Sequence, residues 1–159
     1  MQLAINTGSL SFNTREAIAP VHALGFSAVE LNLQQAELGY GFTRTPNLAF
    51  YTDLARELAL RKLTVTGVHA LFLNGTQMFS ARSRCEVLAV SGQIAQRLGT
   101  GFLTVQPTDI LDSEDWLDLY IADPQLPLPL VKGMSSVIRE LRSGGVQIAL
   151  ENIQYWQGT

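Results

Sequence analysis

Short apolar runs in this chain repeatedly stop at side chains that can hold hydroxyls, protons or metal ions. The opening run ends at Asn6 and Thr7, the next at Glu30 and Asn32, and a third at His69. A fourth ends at Gln106, and Val146–Leu150 stops at Glu151 and Asn152. Two carboxylates, one imidazole and several amides in equivalent places form a chemical set, provided that something brings the run ends together.

A recurring unit supplies that something. "HALGFSAVELNL" (22–33), "RKLTVTGVHALFL" (61–73), "QRLGTGFLTVQP" (96–107) and "LRSGGVQIALEN" (141–152) share one plan. Each starts at a helix end and passes through a short apolar run to a polar residue or turn. Three carry glycine where a helix C-terminus favours a left-handed residue, at Gly25, Gly99 and Gly144. Continuous apolar runs without alternation are the pattern of parallel strands buried on both faces.

The segments between read as helices. Asn13 with Glu16 resembles a capping box, and Pro20 implies a kink or a late start. Thr45-Pro46 offers an N-cap and first helical residue ahead of the stripe Leu48, Tyr51, Leu54 and Leu58. Ser83 with Glu86 is a second box, ahead of Val87, Val90, Ile94 and Leu98; Met134, Val137, Ile138 and Leu141 form the last stripe. With an opening strand at Leu3–Asn6, the order is β-α-β-α-β-α-β-α-β, plus a short helix expected around Ser113–Tyr120. That alternation means an α/β fold with a parallel sheet and right-handed crossovers. An open doubly wound sheet and part of a (β/α)8 barrel both fit. No G-x-G-x-x-G follows the first strand and no phosphate-binding P-loop is present, whereas polar residues at every strand end suit the barrel.

Composition sets limits. The 159 residues, 47% hydrophobic, suit a single domain with a sizeable core. No stretch reaches the roughly 18 apolar residues of a membrane span, and the start lacks the basic and apolar regions of a signal peptide. The one cysteine, Cys85, excludes an internal disulfide and reads as a helix residue rather than a nucleophile. A cytoplasmic protein is expected. A net charge of −3 with scattered basic residues gives no footprint for nucleic acid.

"LGFSAVEL", "VTGVHA", "AQRLGTGFLTVQP" and "GVQIALEN" together resemble strand motifs of the xylose isomerase-like TIM-barrel superfamily, which includes sugar isomerases and epimerases, inosose-processing enzymes and endonuclease IV. The likeness runs through nearly the whole chain in order, over five of eight expected units. It implies that 1–159 is a single domain, an incomplete (β/α)8 barrel from the N-terminal part, with the later strands absent. Barrels of this kind need about 250 residues.

The resemblance implies a divalent metal (Mn, Mg, Co or Zn) and a small sugar or polyol substrate. Glu151 matches a metal ligand that is often one of two acid/base carboxylates. His69 matches a substrate-facing position, or in endonuclease IV a metal ligand, and Glu30 matches the Glu of the "VEL" motif. Asn6, Asn32 and Gln106 complete the expected substrate-binding set. Gln106 stands where histidine is common, and Gln157 where ketose 3-epimerases carry another Glu.

The implied reaction is proton transfer next to a carbonyl, with a metal-stabilised enediolate and a carboxylate as base. The full-length protein is therefore expected to be a sugar or sugar-phosphate isomerase or epimerase, and the 159-residue chain to be inactive alone. Rival readings are an endonuclease IV-like abasic-site enzyme and a non-catalytic half-barrel that binds a ligand or self-associates into a homo-oligomer. Plainer roles stand beside these. Glu151 could cap a helix or pair with an arginine, Glu30 could only orient neighbours, and His69 could be a satisfied core histidine. Tyr155 and Trp156 suit either a sugar pocket or chain-end packing, and the loops 34–45 and 71–80 either a substrate rim or ordinary connections.

Overall fold

Helix and strand alternate as the sequence implies. The computed structural model describes residues 3–11, 13–33, 47–70, 80–112 and 130–151. Five strands, β1 (Ala4–Asn6), β2 (Ala28–Asn32), β3 (Thr64–His69), β4 (Phe102–Val105) and β5 (Gln147–Leu150), form one parallel sheet in the order 1-2-3-4-5. Between them run α1 (Thr14–Ala23), α2 (Leu48–Leu60), α3 (Ala81–Arg97), the short α4 (Pro107–Ile110) and α5 (Met134–Ser143). Strictly sequential strand order means that each crossover returns to the same side, so the helices share one face. A doubly wound sheet reverses its order part-way. This chain is an incomplete α/β barrel.

The core lies between strands and helices. Val29, Leu31, Val68, Leu103 and Val105 on the strands, with Leu33 just past β2, pack with Ile18, Tyr51, Leu54, Leu58, Ile94 and Met134 in one core, all buried. Burying each such side chain contributes about 1.5–3 kcal/mol. Leu3, Leu24, Leu60, Phe102 and Leu150 remain exposed, among the described residues.

Four helices end alike. In each, the residue after the C-cap takes positive φ: Gly25 (79°), Lys62 (57°), Gly99 (72°) and Gly145 (84°). The next N–H then reaches back to the last turn: Phe26 to the Val21 carbonyl, Leu63 to Leu58, Thr100 to Ala95 and Val146 to Leu141. The left-handed residue of the fourth unit is thus Gly145, not Gly144, whose φ is −83°. α5 keeps one more residue in the right-handed region before it turns.

Helix starts also differ from expectation. Asn47, not Thr45, caps α2, its side chain accepting from the Phe50 N–H, so Pro46 precedes the helix. The cap of α3 stands three residues before Ser83, at Ser80, which is extended and whose Oγ accepts from the Ser83 N–H; Glu86 pairs with Arg82 instead. Asn13 caps α1 as expected, accepting from Arg15 and Glu16, while the Glu16 carboxylate accepts from the Ser11 hydroxyl. α1 runs through Pro20 without a late start, with that residue on the solvent side. The helix expected at Ser113–Tyr120, residues 34–46 and 71–79, and Asn152, Tyr155, Trp156 and Gln157 lie outside the described residues.

Candidate functional site

One irregularity decides which side chains meet. β2 and β3 run in step from Ala28↔Thr64 to Val29↔Val65, and then β3 holds one extra residue before Glu30↔Gly67 and Asn32↔His69. The extra residue is Thr66, whose hydroxyl donates to the Val29 carbonyl at 3.1 Å. Side chains alternate faces along a strand, so an inserted residue moves everything after it to the opposite face. Were the same residues paired without this bulge, Asn32 would stand opposite Val68, which would then share the face of Glu30 and Asn32, and His69 would enter the helix-side core. With it, Val68 is buried in that core and His69 joins the polar face.

Two groups form there. In the first, both oxygens of Glu30 are held. Asn6 Nδ2 donates to Oε2 at 2.8 Å, and Thr104 Oγ1 donates to Oε1 at 2.6 Å. The carboxylate therefore reaches from β2 to β1 on one side and across β3 to β4 on the other. Gly67 leaves the crossing open: it sits opposite Glu30, and a Cβ there would stand at ordinary contact distance, 3.8 Å, from Oε1. A longer side chain would occupy the path.

The second group joins β3 to the end of β5. His69 Nδ1–H donates to the Ala70 carbonyl at 2.9 Å, and Nε2 lies 2.9 Å from Glu151 Oε2. A carbonyl only accepts, so Nδ1 carries a hydrogen. Nε2 and Oε2 then form a bond only by sharing a further proton, as imidazolium with carboxylate or imidazole with carboxylic acid. Burial pulls the His69 pKa down. The bond to Glu151, the bond to Ala70 and the charges of Glu151 and Glu30 outweigh it, so the net shift is upward from 6.5. The imidazole is 7% exposed and the Glu151 side chain 42% exposed, giving a proton pair with one buried and one accessible member. The Glu151 N–H is fixed to the Val105 carbonyl at 2.9 Å.

The other expected residues play different parts. Asn32 packs over the turn at Thr7–Ser9: its Nδ2 would lie 2.6 Å from a Cβ on Gly8, and its N–H donates to Thr7 Oγ1 at 2.9 Å. Asn6 Oδ1 accepts from the Gly8 N–H, so Asn6 both caps that turn and holds Glu30. Gln106 stands at the N-cap of α4, half-buried and without a side-chain cap bond. Thr104 was absent from the sequence-derived set. Its signal was present, as the polar residue two before Gln106 in an otherwise apolar strand.

Toward a divalent cation, the described residues bring too few donors. Among them no group of three or more His, Cys, Asp and Glu side chains could hold a metal ion. The imidazole and carboxylate that come together, His69 and Glu151, are bonded to each other.

Solved structures share this architecture. The chain aligns over 98% of its length with a candidate sugar phosphate isomerase/epimerase from Anabaena variabilis, at TM-score 0.64 and 15% identity. The shared fold is the α/β barrel. A xylose isomerase domain protein from Planctomyces limnophilus matches 97% of the chain at TM-score 0.61 and 11% identity. The IolI protein, solved with a bound zinc atom, matches 94% at TM-score 0.53 and 17% identity. The chain spans only about half of these structures, 55%, 53% and 51% of them respectively. No family profile and no curated protein matches the sequence. Among the described residues no helix is long and apolar enough to cross a membrane.

Proposed function

We propose that this chain carries part of the active site of a sugar isomerase- or epimerase-like enzyme, in which Glu151 and His69 move a proton at a carbon next to a carbonyl. The observation behind this reading is the 2.9 Å contact between His69 Nε2 and Glu151 Oε2 at the ends of β3 and β5. Glu151, the accessible member, meets the substrate C–H. With the shared proton on His69, Glu151 is ionised and itself takes up the C–H proton, while His69, fixed by Ala70, holds the carboxylate in register. General acid–base catalysis by such a group contributes about 10²–10⁴-fold. A divalent cation bound through Glu151 would act as a Lewis acid on substrate oxygens. Any further ligands would have to come from outside the described residues, because His69 is engaged with Ala70 and Glu151.

The test incubates the full-length protein with ketoses and inososes in D2O, with and without Mn2+, Mg2+, Co2+ or Zn2+, and follows loss of the C–H resonance next to the carbonyl. Exchange should depend on Glu151 and fall at least about 100-fold in Glu151→Gln. Equal exchange in the variant removes Glu151 from the chemistry.

A further inference from the structure

The Glu30 carboxylate is held more firmly than the proton-transfer reading requires. Its two oxygens offer about four lone-pair positions. Asn6 Nδ2 and Thr104 Oγ1 occupy one on each oxygen, from opposite sides. What remains can only accept, so a molecule bound there must bring donors. Two carboxylates, Glu30 and Glu151, act on the single imidazole of His69. Of the eleven lysine and arginine residues, only Arg44 lies outside the described set. The others stand on helices or in the turns beside them, none on a strand. The described strand ends thus present acceptors and negative charge, which suits an uncharged ligand rich in hydroxyls and disfavours an anion.

We propose that Glu30 is a hydroxyl-accepting subsite for an uncharged polyol or ketose, and that Thr104 is the positioning residue that sets it. The subsite rests on the sugar reading of the strand ends; the role of Thr104 follows from the clamp itself. Thr104 lies on β4, two strands from Glu30, and its hydrogen bond spans β3 above Gly67. Asn6 alone would leave the carboxylate free to swing about its Cγ–Cδ bond. With both donors in place, its plane is fixed and its open lone pairs point one way, so a substrate hydroxyl meets an acceptor that needs no reorganisation.

Thr104→Val removes the hydroxyl while nearly preserving shape, and Thr104→Ser keeps it. Binding of myo-inositol, D-fructose and D-fructose 6-phosphate to the 159-residue chain is measured by ligand-observed NMR, with circular-dichroism melts confirming that each variant is folded. The chain should bind myo-inositol or D-fructose more tightly than the phosphate. Thr104→Val should weaken that binding roughly 3- to 10-fold, Thr104→Ser should restore it, and Glu30→Gln should weaken it at least as much as Thr104→Val. Binding unchanged in Thr104→Val, tighter binding of the phosphate, or no binding of any probe overturns the subsite. If the Thr104 pattern holds while proton exchange fails, the subsite stands and the catalytic reading falls. Exchange with Thr104→Val binding like the parent chain does the reverse.

Discussion

Gly92 tests how tightly the helices that carry Glu151 are docked. It lies in α3, buried, where α5 packs against that helix. A Cβ built on Gly92 would overlap the Leu141 side chain, standing 2.9 Å from Cδ1 and 3.1 Å from Cγ and closer still to Cδ2. Leu141 is 5% exposed, so it has little room to retreat. Two effects compete in Gly92→Ala. Alanine is favoured over glycine within a helix by about 0.8–1 kcal/mol. Overpacking a filled interface costs about 1–3 kcal/mol, and an overlap with three atoms of one buried side chain belongs at the upper end. The net expectation is a loss of about 1–2 kcal/mol, read as a drop of about 2–8 °C in Tm for a chain of this size.

Urea unfolding at pH 7 measures it. The decisive comparison adds Leu141→Ala, which alone costs about 2–5 kcal/mol through the cavity it leaves. In the double variant the new methyl enters that cavity, so the combined loss should be smaller than the sum by at least about 0.5 kcal/mol. A Gly92→Ala chain as stable as the parent, or strictly additive losses, would refute the close approach of α3 and α5. Because α5 leads through Gly145 directly into β5, the same displacement should also reduce Glu151-dependent exchange.

Other consequences follow from the strand ends. The His69 imidazole should titrate above 6.5 in NMR spectra, and Glu151→Gln should move it downward by removing the charge and replacing a charged acceptor with a neutral amide. Since the folded value is the higher one, the stabilisation is fully present below about pH 6.5 and fades as pH rises through the folded pKa. Parent and Glu151→Gln stabilities should therefore converge at alkaline pH, and a constant gap would exclude the ion pair as its source. At Gly67, alanine should be neutral or stabilising by up to about 1 kcal/mol, because its Cβ meets only ordinary contacts at 3.6–3.8 Å. Leucine there would block the path of Glu30 to Thr104 and meet Phe102. Gly67→Leu melting at the parent temperature would show that the crossing is not confined.

The local signals of this chain were legible because they are local. Glycines after helix ends, apolar runs and the stripes on α2, α3 and α5 lie within a few residues of what they specify, and together they imply a parallel α/β fold, with the polar strand ends favouring the barrel over a doubly wound sheet. Glu30, His69 and Glu151 could be placed at strand ends for the same reason. Cap positions were less so: Ser80 and Ser83 both satisfy the pattern, and the backbone decides between them. Lys62 shows the limit of a composition rule, for it adopts the left-handed turn that glycine fills in the other units.

What only the tertiary structure decided is phase and partnership. The extra residue Thr66 is invisible in "TVTGVH", since an insertion exists only relative to the neighbouring strand. Yet it determines whether His69 faces the core or the site. Thr104 likewise gains its role from a carboxylate 74 positions away, reached across a glycine. Sequence by itself determined which chemistries stand at the strand ends, because side-chain type and helix-strand alternation are written locally. Which of those groups touch was set by inter-strand register, a property of five segments at once.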